Sequence, residues 1–208
     1  MIEITYIIIG ATVVTSLLAW QQPKLLNQWI FYPYAIRKNK EWLRFLTSGF
    51  IHSDYMHLIF NMISLFFLGK YAEFGFMERF GVDSYILVYV FFYLSAIIVS
   101  DIPTFFKQSK NPHYRALGAS GAVSAVVFAT ILMEPGMRLR VFPIPFPIPG
   151  VVYALLYIFY SAYMAKNARD NIGHDAHLYG SLYGLAFVGV LMPDKILQFL
   201  QSLQNLIP

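Results

Sequence analysis

The stretch ALGASGAVSAVVFATILM, residues 116–133, decides the fold of this protein. It carries no charged side chain and is long enough to cross a bilayer, which needs about 17–25 predominantly apolar residues. Its many Gly, Ala and Ser residues are of the kind that lets two membrane helices approach closely. Ser120 lies in the first turns, where unpaired backbone N–H groups and the positive end of the helix dipole favour an anion. The stretch therefore predicts a membrane-spanning helix with a hydroxyl near one membrane surface.

Five other stretches are apolar and close to the length that a bilayer requires. Of the 208 residues 58% are hydrophobic and only 12% are charged, whereas a soluble domain carries about 25% charged residues. The interpretation is an all-α membrane protein, a single domain over residues 1–208 built as a bundle of six transmembrane helices. The predicted spans are residues 4–20, 55–72, 84–100, 116–133, 149–165 and 176–192. Residues 21–54 mix aromatic and basic side chains, which predicts a loop in the membrane interface.

Charge and cysteine content exclude several kinds of site. The net charge of +4 is spread thinly, without the basic run that would indicate a nucleic-acid partner. The absence of cysteine excludes disulfides, thiolate metal ligands and a cysteine nucleophile. His113 and His174 have no carboxylate or histidine at a metal-binding spacing, so neither a metal nor an organic cofactor is predicted. Glu3 and no basic residue precede the first apolar stretch, which is therefore expected to be a retained span.

Two polar side chains share one face of the second predicted span. His57 and Asn61 stand four residues apart, about one helical turn. Polar groups at membrane depth are costly and commonly functional, so both side chains could direct hydrogen-bond donors at one developing charge. The alternative is that they attach this span to a neighbouring helix, which is an ordinary packing device in membranes.

A histidine and two glycines share one face of the sixth predicted span. Gly180 and Gly184 follow His177 at offsets of three and seven. They form a smooth groove on which the small-residue helix 116–133 can lie, which would bring the Ser120 hydroxyl and the His177 ring within reach of each other. Taken alone, a histidine at a helix start is more often structural than catalytic.

The pair of Ser120 and His177 predicts nucleophilic catalysis. A serine hydroxyl needs a base to take its proton, and a neutral imidazole can accept and return a proton near pH 7. Attack on a carbonyl creates an oxyanion, for which His57, Asn61 and the Ser120 backbone N–H are candidate donors. Asp175 lies two residues before His177, on another helix face, and is interpreted as a boundary or capping residue. A dyad is therefore favoured over a triad.

Three blocks of the sequence resemble the rhomboid family of intramembrane serine proteases. TSGFIH at 47–52 with HLIFNM at 57–62 is similar to the family's second-helix signature. GASG at 118–121 matches the nucleophile motif, and AHLYGSLYG at 176–184 resembles the general-base helix. The blocks occur in the family's order, on predicted spans two, four and six.

The resemblance implies an intramembrane serine endopeptidase that hydrolyses peptide bonds in or near the transmembrane segments of membrane-protein substrates. Ser120 would be the nucleophile and His177 the general base, with His57 and Asn61 lining the oxyanion hole. Supporting roles fall to His52, Gly118, Gly121, Gly180 and Gly184. Arg44 and Glu73 lie near family positions that brace the first loop, with Glu78 as the alternative to Glu73.

Two residues depart from the family pattern. Ser124 stands four residues after the nucleophile, where some members carry an aromatic side chain stacked on the base histidine. Tyr179 stands where many members have a small residue. The orientation of His177 would then depend on other contacts.

Orientation in the membrane is predicted differently by charge and by family. The distribution of Lys and Arg between the loops favours an N-terminus outside, by the positive-inside rule. The resemblance implies an N-terminus in the cytosol, and this is preferred because much of the conflicting charge lies in the loop 21–54. The expected location is a multi-pass protein of the lipid bilayer, in a bacterial inner membrane.

Two other functions are compatible with the sequence. A rhomboid fold could bind transmembrane clients without cutting them, although such a protein would be expected to lack Ser120 or His177. A carrier could use His57 and Asn61 along a pathway, but the repeats and broken helices that many carriers have are not evident.

Overall fold

The computed structural model describes residues 4–141, 143–167 and 172–205, and these form a mostly helical protein. A 3₁₀ turn over Ser48–Phe50 lies between the helices Arg44–Thr47 and Tyr55–Phe80. Two short strands, β1 (Arg138–Leu139) and β2 (Ile148–Pro149), pair antiparallel with Arg138 opposite Pro149. The helices are α1 (Ile4–Gln21), α2 (Pro23–Trp29), α3 (Pro33–Asn39), α4 (Arg44–Thr47), α5 (Tyr55–Phe80), α6 (Tyr85–Gln108), α7 (Ser120–Met133), α8 (Gly150–Asn167), α9 (His174–Leu191) and α10 (Pro193–Gln204).

Two of these helices, α1 and α6, are by themselves long and apolar enough to cross a membrane. A third candidate is the pair of α9 and α10, which are bent by 119° at Met192 and could together form one broken span. Helix α7 is apolar but has only 14 residues. The described residues therefore support a helical membrane protein, and the count of six spans stays a prediction.

Helix α7 is the centre of the bundle. Every residue from Gly121 to Met133 is buried, and the helix contacts α5, α6, α8 and α9. A helix covered on all sides needs no polar face, which explains why its sequence lacks charge. At 1.5 Å per residue, 14 residues span about 21 Å, less than the hydrocarbon core of about 30 Å. Ser120, the first residue of α7, therefore lies at the end of a helix shorter than the membrane.

Glycines allow α7 and α9 to touch through their backbones. A Cβ atom at Gly180 would overlap the carbonyl oxygen of Gly121, and one at Gly184 would overlap that of Ala125. The groove predicted from the spacing of Gly180 and Gly184 thus receives α7, as close small-residue packing between membrane helices requires.

The predicted interfacial loop contains helices α2, α3 and α4. Pro23 and Pro33 stand at the starts of α2 and α3, where the missing N–H of proline costs nothing. The Arg44 guanidinium donates to the carbonyls of Asn27 at 2.6 Å and Ile30 at 3.0 Å and pairs with Glu41. The prediction that Arg44 braces this segment is confirmed.

Glu73 has a different role from the predicted one. Its carboxylate accepts from the backbone N–H groups of Ile4 at 2.9 Å and Thr5 at 3.1 Å, and from the Thr5 hydroxyl at 2.7 Å. It therefore caps the first turn of α1 from the neighbouring helix α5. The prediction that Glu73 braces the first loop is wrong, because its carboxylate binds the N–H groups that are exposed at the start of α1.

Candidate active site

The turn that leads into α7 presents Ser120. Gly118 has a φ of +121°, a conformation that side chains rarely adopt, and its N–H donates to the Ser48 carbonyl at 3.0 Å. The His57 ring occupies the space where a Cβ of Gly118 would stand. As the first residue of α7, Ser120 contributes one of the N–H groups that have no acceptor within the helix.

His52 supports the same turn by a hydrogen bond to its backbone. Its Nε2 accepts the Ala119 N–H at 3.3 Å, and its Nδ1 lies 3.0 Å from the Ser16 hydroxyl. Because Nε2 accepts, the proton of a neutral imidazole is on Nδ1 and is donated to Ser16. Burial, helped by the nearby His57, lowers the pKa of His52 to about 3. His52 is therefore a neutral structural acceptor, and the geometry agrees with its predicted supporting role.

His57 and Asn61 lie on the face of α5 that meets this turn. The His57 ring packs against Gly118, and its Nδ1 lies 3.2 Å from the Ser53 hydroxyl. The Asn61 side chain is buried and donates to the His57 carbonyl at 3.1 Å. The structure thus brings His57 to the Ser120 turn, while the amide of Asn61 is bonded within its own helix.

His177 lies one turn before the glycine contact on α9. Gly180 follows it by three residues, and Gly121, which Gly180 meets, follows Ser120 by one. The two predicted catalytic residues therefore lie within three residues of the same contact between α7 and α9. The His177 ring also has aromatic neighbours, with the ring centroids of Tyr157 at 6.3 Å and His174 at 6.0 Å.

Asp175 is bound elsewhere. Its carboxylate pairs with the Lys107 ammonium at 2.6 Å and so joins the start of α9 to the end of α6. This agrees with its interpretation as a boundary residue.

Tyr157 is the site residue that the sequence did not indicate. Its hydroxyl lies 3.1 Å from that of Ser124, one turn after Ser120 on α7, and its ring faces His177. Helix α8 is rich in aromatic residues throughout, so no pattern within it distinguishes this tyrosine. Its position depends on how α8 packs against α7 and α9.

The geometry describes a serine and a histidine on facing helices, with a second histidine and a helix N-terminus beside the serine. Among residues 4–141, 143–167 and 172–205, no three His, Asp or Glu side chains come together as a metal ligand set.

The model of the rhomboid domain matches residues 39–194, which is most of the chain. The protein therefore belongs to the rhomboid family. A relative in the plant Arabidopsis thaliana, the mitochondrial RHOMBOID-like protein 12, is 28% identical over 146 residues. That match covers 65% of this chain and 42% of the relative, so the chain spans less than half of the relative's length.

Proposed function

We propose that this rhomboid protein is an intramembrane serine endopeptidase that cleaves membrane-protein substrates in or near their transmembrane segments. The observation that supports it most is the glycine contact between α7 and α9, which joins the helix that begins at Ser120 to the helix that carries His177. A close backbone contact can hold a nucleophile and its base in a fixed relation, and that proximity supplies a large part of a catalytic effect.

In the proposed reaction, the Ser120 oxygen bonds to the carbonyl carbon of the scissile peptide while its proton passes to the His177 imidazole. The tetrahedral intermediate then loses its amine, which takes the proton from His177. Water repeats the sequence on the acyl-enzyme, with His177 again as base. The products are two peptide fragments, and Ser120 is regenerated.

The oxyanion would be stabilised from three directions. The Ser120 N–H stands at the start of α7, where the helix dipole favours negative charge. His57 approaches the same turn against Gly118. Asn61 donates one of its two amide N–H groups to the His57 carbonyl, and its second N–H is the one that would contribute.

The bilayer is the proposed site of action, since the family and the apolar helices indicate a membrane protein. A bacterial inner membrane and a cytosolic N-terminus remain predictions. The matched relative is named as mitochondrial, so membrane fractionation with protease protection of the N-terminus is the direct measurement.

The test is cleavage of single-span substrates by the purified protein in detergent. Ser120→Ala should remove cleavage and labelling by a fluorophosphonate, and His177→Ala should remove cleavage and leave only a slow residual labelling of Ser120. Ser64→Ala and His113→Ala are matched controls at a serine of α5 and a loop histidine outside the site, and both should retain activity. Labelling without cleavage would mean that the substrates were unsuitable. If the protein is folded and the fluorophosphonate does not label Ser120, the proposal is overturned and a client-binding role is favoured.

A further inference from the structure

Helix α8 contributes one aromatic ring to the surroundings of His177. The rings of Tyr157 and His177 are 6.3 Å apart between centroids and inclined by 31°. The ring of His174 stands edge-on to His177 at 6.0 Å and 80°. The imidazole therefore has one ring neighbour from α8 and one from its own helix, α9.

Tyr157 is itself held in place. Its hydroxyl lies 3.1 Å from the hydroxyl of the buried Ser124. Its ring is 5.5 Å from both Phe128 on α7 and Tyr153, one turn earlier on α8. A side chain anchored at its tip and along its ring has few alternative rotamers, and it can restrict the rotation of a neighbour.

Ser124 completes the connection between nucleophile and base. It stands four residues after Ser120 on α7, on the same helix face. The hydroxyl pair of Ser124 and Tyr157 thus joins α8 to the helix that carries the nucleophile. A larger residue at position 124 would occupy the space that the Tyr157 hydroxyl uses.

We propose that Tyr157 is a positioning residue for His177, and that its ring holds the imidazole towards Ser120 while Ser124 anchors its hydroxyl. This inference rests on the proposed protease function. Tyr157 touches neither the peptide nor the reacting atoms in this role; it limits the orientations of the base, and misplacement of a catalytic group by about 1 Å can cost about a hundredfold in rate.

The experiment compares Tyr157→Leu with Tyr163→Leu. Both variants remove one tyrosine ring from α8, but the Tyr163 ring is largely exposed. We expect Tyr157→Leu to lower kcat and the rate of fluorophosphonate labelling about tenfold with KM nearly unchanged. Tyr163→Leu should leave both rates within about twofold of the parent. Tyr157→Phe, which keeps the ring, should restore most of the labelling rate.

A double variant separates positioning from folding. In a His177→Ala background, Tyr157→Leu should not lower the residual labelling rate further, because the residue acts through the imidazole. A further fall, or equal losses in Tyr157→Leu and Tyr163→Leu, would overturn the inference and leave a packing role. If the parent protein is neither labelled at Ser120 nor able to cleave a substrate, the proposed protease function is overturned instead.

Discussion

The two sides of the candidate site are built by different means. On one side, α7 meets α9 through glycine and carbonyl groups, and the turn before Ser120 is tied to buried histidine and backbone groups. On the other side, α8 approaches with bulky aromatic side chains, and its outer face leaves Phe159, Tyr160 and Tyr163 largely exposed. We call these the backbone side and the aromatic side.

The difference shows how the two kinds of contact divide the task. A backbone contact fixes the separation of two helices and tolerates no added atom, since cores are close-packed. An aromatic contact fixes the orientation of one ring and can yield by rotation of side chains. Changes on the backbone side should therefore be the more damaging to stability, and changes on the aromatic side should act more on rate.

The largest effect is expected at Gly180. Gly180→Ala places a Cβ against the Gly121 carbonyl, and only separation of α7 and α9 can relieve the overlap. We expect the free energy of unfolding to fall by about 3 kcal/mol, at the upper end of the usual cost of overpacking, with loss of cleavage. Thermal unfolding in detergent is the measurement.

Gly10→Ala is the matched control for that substitution. Gly10 lies inside α1 with no atom within 4 Å of an added Cβ, and alanine is the better helix former. A stability of Gly180→Ala equal to that of Gly10→Ala would mean that the two helices are not held by a backbone contact.

His52 should have the next largest effect. His52→Ala leaves the buried Ala119 N–H without its acceptor, and an unsatisfied buried donor costs about 1–3 kcal/mol. Unfolding in denaturant should give a value near the middle of that range. A control is His113→Ala in an exposed loop, which should be close to neutral.

The same histidine predicts a dependence of stability on pH. Its pKa is lowered in the folded protein from 6.5 to about 3, so the unfolded chain takes up a proton that the folded protein excludes. The stabilisation is complete above pH 6.5 and is lost progressively as the pH falls towards 3. Asp54 and His57 also act on this ring, so the free energy of unfolding should be measured against pH in both the parent and His52→Gln. The difference between the two slopes reports on His52, and identical slopes would contradict a neutral buried His52.

Much of the backbone side could be predicted from the sequence, because its signals are local. The spacing of His177, Gly180 and Gly184 defines one helix face, and the run of small residues in 116–133 defines its partner. Helix α7 begins only at Ser120, four residues into that stretch, because the positive φ of Gly118 breaks the helix.

Contacts between distant segments could not be predicted in this way. Glu73 reaches the start of α1 across 68 or 69 positions of sequence, and a carboxylate within an apolar helix does not indicate which N–H groups it accepts from. Tyr157 is one of several tyrosines on α8, and only the packing of three helices selects it as the neighbour of His177.

On the aromatic side, Ser124→Ala should have a smaller effect on stability than His52→Ala. It removes one hydroxyl of the pair with Tyr157, and a hydrogen bond of this kind contributes about 1 kcal/mol. The labelling rate of Ser120 should fall by less than in Tyr157→Leu, because the ring stays beside His177. Single-turnover labelling together with thermal unfolding measures both quantities. A stability loss as large as that of Gly180→Ala would remove the distinction between the two sides.

The smallest effect is expected where α6 meets α9 through charge. The Lys107 side chain is half exposed in its pair with Asp175, and exposed ion pairs contribute about 0.2–1 kcal/mol because water and salt screen them. Lys107→Ala should therefore lower the unfolding temperature slightly at low salt and hardly at all at high salt. Lys110→Ala, at the exposed end of the same segment, serves as the control. A large fall in the unfolding temperature of Lys107→Ala that does not depend on salt would contradict this prediction. It would mean that the ion pair holds the start of α9, and with it His177, as firmly as the glycine contact does.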